Sequence, residues 1–128
     1  MNRSRFLVIA SIPGLVFGLA FLLAPGRLMS FYDIALDAAG QWMGRFLGAQ
    51  LVGLATIAWL ARNAPTGGAL SAVMLGNLVG AVIALVLALL QGFSGIGNAL
   101  LWSTAVIYAF LAAGFGYFQF AKPQQDAD

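Results

Sequence analysis

Arg45 stands three residues after Trp42 inside an otherwise apolar run, and Asp33 and Asp37 are the acidic side chains nearest to it in sequence. On a helix, three residues place the guanidinium about 4.5 Å deeper than the tryptophan. An arginine at the centre of a bilayer costs about 2.5–3.5 kcal/mol on insertion scales and less toward the interface. It also falls near the start of a helix, the end that disfavours a cation. A specific partner is therefore expected, and two chemistries compete. Arg45 could snorkel outward and pair with Asp33 or Asp37, tying the preceding segment to its helix. It could instead form the polar floor of a pocket that binds a headgroup, a carboxylate or a quinone oxygen. Asp33 and Asp37 could hold a cation if they share a helical face, but two carboxylates are few for calcium, and no metal site is expected.

Deeper polar groups are sparse. Gln50 and Asn77 cannot stay unpaired in hydrocarbon without cost, so each is expected to bond the other or a backbone carbonyl. With Asn98, Ser103 and Thr104 they could alternatively line a cavity. Trp102 reads first as an interfacial residue and second as a pocket wall.

The elements that position these groups follow from composition. Between Arg62 and Lys122 the chain carries no charged side chain, and of its 128 residues 62% are hydrophobic and 8% charged. A soluble surface normally carries about 25% charged residues, so the chain is expected in a lipid bilayer as one domain. His, Cys and Glu are missing altogether. Haem ligation, cysteine or histidine zinc sites, thiol chemistry and histidine acid–base catalysis are thereby excluded, and no cofactor is expected. Six scattered cations make nucleic acid a poor partner.

Crossing the hydrocarbon takes roughly 20 apolar residues in a helix. Residues 6–24, 42–61, 69–90 and 99–120 meet or approach that length, which predicts an all-α integral membrane four-helix bundle. The first run, behind Arg3 and Arg5, could also be read as a signal peptide, but Pro25 sits where a cleavage junction would be poor. Short loops put Arg3, Arg5, Arg62 and Lys122 on one side, which by the positive-inside rule makes both termini cytoplasmic. Trp42 and Trp59 are separated by a helical rise of about 25 Å, and Trp102 and Phe120 by about 27 Å, so both pairs fit interfacial belts, with Tyr117 as a further anchor.

Arg27, Ser30, Asp33, Asp37 and Gln41 recur at helical intervals among apolar residues. This period predicts an amphipathic helix along the outer interface between spans one and two, opened by Pro25-Gly26 and closed near Gly40; an irregular loop is the alternative. Pro13-Gly14 predicts a kink in span one. Pro123 should stop span four, with a polar tail over 123–128. Glycines four apart, Gly14/Gly18, Gly44/Gly48 and Gly76/Gly80, predict close helix packing, because small residues rather than hydrophobicity bring helices together in lipid. These faces could serve the bundle itself, a second copy of the chain or another membrane protein.

Leu22-Leu23-Ala24-Pro25-Gly26, Arg45-Phe46-Leu47-Gly48-Ala49, Trp59-Leu60-Ala61-Arg62 and Asn98-Ala99-Leu100-Leu101-Trp102 together resemble small four-span bacterial proteins of the broad DoxX-like kind. The resemblance implies a bacterial cytoplasmic-membrane protein, sometimes associated with oxidoreductase partners, and no activity to carry over.

A non-enzymatic membrane protein, an accessory or self-associating subunit, is the first expectation. A binder or carrier of a lipid or quinone, with Arg45 as its polar contact, is the alternative. Proton-coupled transport lacks its carrier, since no Asp, Glu or His lies within a span. Acid–base catalysis would have only Asp33, Asp37 and interfacial tyrosines to draw on.

Overall fold

A computed structural model describes residues 1–121 and is helical throughout, with no strand among them. The expected polar tail over 123–128 and the stop at Pro123 lie outside the described residues. The chain forms α1 (Arg3–Leu23), α2 (Pro25–Ser30), α3 (Ala38–Ala61), α4 (Gly68–Ser94) and α5 (Trp102–Gly116). A 3-10 turn (Ala99–Leu101) leads into α5, and a π turn (Tyr117–Ala121) extends it. α1, α3, α4 and the run Ala99–Ala121 are each long and apolar enough to cross a membrane, which makes this a multi-pass membrane protein.

Local chemistry sets the helix ends. The Asn2 side chain accepts from the Arg5 N–H at 2.9 Å, and Asp37 accepts from the Gly40 N–H at 2.7 Å, so each caps the helix that follows. α4 stops at Gly95, which takes the left-handed conformation (φ 79°) that closes helices at little cost to glycine. α1 breaks at Ala24, and Pro25 restarts the chain as α2, where its missing N–H is not needed. α1 itself runs through Pro13.

The amphipathic helix expected from Arg27 to Gln41 is realised only as far as Ser30. Asp33 then adopts φ 56°, a left-handed residue that ends any helix, and residues 34–37 are not helical. The polar period belongs to residues with separate tasks, so it does not describe one continuous helical face. Span two correspondingly starts at Ala38 rather than Trp42.

Two helix pairs make the bundle. α1 lies along α3 through glycines: a Cβ on Gly48 would come 2.5 Å from the Leu22 nitrogen and 2.6 Å from the Gly18 carbonyl oxygen. Gly14 and Gly18 face Ala55 and Val52, and Gly44 faces Pro25, each at under 3 Å from where a Cβ would stand. Backbone touches backbone here, which is how helices associate without a hydrophobic drive. α4 and α5 form the other pair; Gly92 lies against Trp102 at one end and Leu78 lies 3.7 Å from the Cβ position of Gly116 at the other.

The two pairs join at the end where α1 begins. Phe6, wholly buried, occupies the space a side chain on Gly114 would need, meets Phe115 edge-on at 4.9 Å and stacks on Phe118 at 5.3 Å. Leu7, Ala10, Ala58, Ala61, Leu70 and Met74 complete this core. Arg3, 1% exposed, donates to the Ala64 carbonyl at 3.0 Å and fastens α1 to the α3–α4 loop.

Candidate functional site: a cavity between the helix pairs

Away from that core the pairs separate around a cavity of about 580 Å³. Such a volume is in the range of small-molecule sites. Phe115, Ala10 and Ala58 form its floor, continuous with the core, while Tyr32, Met29 and Leu101 roof the far end. The roof is held by Asn98, whose side chain donates to the Phe31 carbonyl at 3.0 Å and to Asp33 Oδ2 at 3.1 Å. Its own Oδ1 accepts from the Leu100 N–H at 3.0 Å, capping the 3-10 turn. One side chain thus joins the α2–α3 connection to the α4–α5 connection.

The walls are apolar with few polar groups. Among the described residues no charged side chain lines the cavity; the polar ones that do are Tyr32, Asn77, Gln91, Thr104 and Tyr108. Asn77 sits low, and its amide donates to the Val73 carbonyl at 2.9 Å, the backbone alternative expected from the sequence. Tyr32, Gln91, Thr104 and Tyr108 form no side-chain hydrogen bond with any described residue.

The wall is not closed on all sides. Its exposed lining residues all lie on α3 and α4: Leu47, Leu54, Gly76, Gly80 and Leu87. A Cβ on Gly76 or Gly80 would meet nothing within 4 Å. These two glycines therefore leave a gap, in contrast to the close contact at Gly14, Gly18, Gly44 and Gly48. The expectation that Gly76 and Gly80 pack helices is corrected within the chain, because no helix stands opposite them at contact distance.

Arg45 is elsewhere. It is not among the cavity's lining residues, and its guanidinium lies over the Trp42 ring at 5.1 Å. Among the described residues it forms no ion pair with Asp33 or Asp37, which are engaged by Asn98 and by the α3 cap. The reason is visible one span away: Arg62 lies over the Trp59 ring at 4.3 Å with the same three-residue spacing. Each end of α3 carries a tryptophan and an arginine together, so cation–π stacking meets the need for a partner without a carboxylate.

Gln50 is exposed on α3 and has no side-chain hydrogen bond to a described residue; it neither reaches Asn77 nor lines the cavity. Trp102 is 38% exposed, packs on Gly92 and meets Phe93 edge-on at 5.2 Å, and is absent from the lining. Of the sequence-derived candidates, Asn77 and Thr104 lie in the cavity wall, while Asp33 and Asn98 hold its roof. Gln91, Tyr108 and Tyr32 were not singled out by sequence. A glutamine and a tyrosine within otherwise apolar helices were the available signal.

Comparisons with protein-family models, with curated proteins and with solved structures returned no match.

Proposed function

We propose that this chain is a non-catalytic protein of a bacterial cytoplasmic membrane, both termini cytoplasmic, that holds a hydrophobic small molecule between its two helix pairs. A lipid or a quinone has the right character. The observation that carries this is the cavity of about 580 Å³, apolar in lining yet edged by side chains that have no partner among the described residues. Bundles commonly place ligands between helices. The sequence supports a non-catalytic role, since it lacks His, Cys and Glu. The DoxX-like resemblance agrees with a bacterial membrane placement.

Native mass spectrometry after gentle extraction tests the proposal. The wild type should carry a reproducible extra mass of lipid or quinone size, and Gly80→Leu, at a position where an added Cβ meets nothing within 4 Å, should lose it. Arg45→Ala should retain it. A bare protomer, or assemblies of copies or of other proteins with no small molecule, would overturn the binding role in favour of an accessory or self-associating subunit.

A further inference from the structure

The wall chemistry restricts what the cavity can hold, and this step rests on the binding role proposed above. Three observations bear on it. First, among the described residues no Arg, Lys or Asp lines the cavity; Arg45, the cation expected to serve it, lies over Trp42 instead. A carboxylate or phosphate bound inside would have no counter-charge, and an unpaired charge in a low-dielectric site is disfavoured strongly. Second, of the four polar lining side chains with no hydrogen-bond partner among the described residues, Tyr32 stands in the roof and the other three are grouped. Thr104 and Tyr108 are one turn apart on the same face of α5, and Gln91 precedes Gly92, which lies against Trp102 at the start of that helix. Together they offer hydroxyl and amide groups, able both to donate and to accept. Asn77, by contrast, lies about 21 Å further along α4 toward the floor, and one of its N–H groups already donates to the Val73 carbonyl. Third, all the exposed lining residues belong to α3 and α4, so the cavity opens sideways along the spans, where Gly76 and Gly80 contribute no side chain to block it.

We infer that the ligand is an uncharged amphiphile: its hydrogen-bonding end sits at Gln91, Thr104 and Tyr108, and its apolar chain runs toward the floor, reached from the bilayer between α3 and α4. Long-chain alcohols and carbonyl compounds, monoacylglycerols and isoprenoid quinols share this chemistry. Fatty acids and phospholipids, ionised at neutral pH, do not.

A matched pair of photoreactive probes tests this: hexadecanol and hexadecanoic acid, each with a diazirine in the chain, offered to the protein in phosphatidylcholine nanodiscs at a pH where the acid is ionised. Cross-links are mapped by peptide mass spectrometry, with excess unlabelled hexadecanol as competitor. The alcohol should label α3 around Leu47–Leu54 and α4 around Gly76–Gln91, in a competable manner. Its labelling should exceed that of the acid about tenfold, equivalent to ~1.4 kcal/mol. Tyr108→Phe combined with Thr104→Val and Gln91→Leu, all close in volume, should keep cavity labelling but bring the two probes within about threefold. Circular dichroism confirms that the variant is folded. Equal or stronger labelling by the acid in the wild type, or a preference unchanged in the triple variant, would overturn the uncharged-ligand assignment while leaving the binding role intact. Failure of both probes to label the cavity competably would sink the binding role itself.

Discussion

The Asn98 carboxamide donates to Asp33 Oδ2 at 3.1 Å across 65 positions of sequence, and it is the polar link between the two helix pairs at the roof of the cavity. The geometry depends on Asp33 standing in the left-handed region (φ 56°), where aspartate and asparagine are tolerated better than other side chains. Asn98→Ala removes this bond, the bond to Phe31 and the cap on the 3-10 turn. At roughly 1 kcal/mol for each partly exposed bond, the loss should be about 2–3 kcal/mol. Asp33→Asn keeps both the backbone preference and an acceptor oxygen, so it should cost under about 1 kcal/mol. Equilibrium unfolding in mixed detergent micelles, with both variants side by side, checks the order.

Glycines of identical spacing should respond in opposite ways. At Gly48 an added methyl meets backbone atoms of α1, which cannot move aside as a side chain can, so Gly48→Ala should destabilise by about 1–3 kcal/mol or prevent assembly of the α1–α3 pair. At Gly80 the methyl meets nothing within 4 Å. Gly80→Ala should therefore be neutral or stabilising by up to about 1 kcal/mol, the helix-propensity difference. Thermal unfolding of the two single variants in one detergent separates the cases; equal losses would contradict the packing described.

This contrast marks what could be read from the chain. Apolar runs long enough to cross a bilayer fixed the four spans, with ends displaced by at most a few residues, because the length requirement is imposed by lipid. Spacing could not distinguish Gly48 from Gly80. Whether a small residue makes a contact or leaves a gap depends on which helix stands opposite, and that is set by the pairing of α1 with α3 and α4 with α5. The amphipathic period from Arg27 to Gln41 misled for a similar reason: Asp33 and Asp37 are spaced like one helical face, yet one accepts from Asn98 and the other caps α3. The cavity is space bounded by four distant segments, and no local pattern encodes it.

Arg45 offers a direct check on that point. If it were paired with Asp33, the double variant Arg45→Ala/Asp33→Ala would show coupling of more than 1 kcal/mol in a thermodynamic cycle. The structure shows no ion pair between them and gives each another contact, so the effects should add to within about 0.5 kcal/mol. The cycle of Arg45→Ala with Trp42→Ala should instead show coupling of about 0.5–1 kcal/mol, the worth of a partly exposed cation–π pair.

Orientation across the membrane can be measured because the chain has no cysteine of its own. Arg3 and Arg62 lie at the end of the bundle where α1 begins and α3 finishes, the end that the proposed orientation assigns to the cytoplasm by the positive-inside rule. Asn63 and Ser94 are both exposed, at opposite ends of the spans. In intact cells, a membrane-impermeant maleimide should label Ser94→Cys and leave Asn63→Cys unlabelled until the membrane is opened. The reverse pattern would invert the bundle and put the roof formed by Tyr32, Asn98 and Leu101 on the cytoplasmic side. The arginine–tryptophan pairs at both ends of α3 would fit either result, since each anchors an interface without regard to its side, so the proposed orientation rests on Arg3, Arg5 and Lys122.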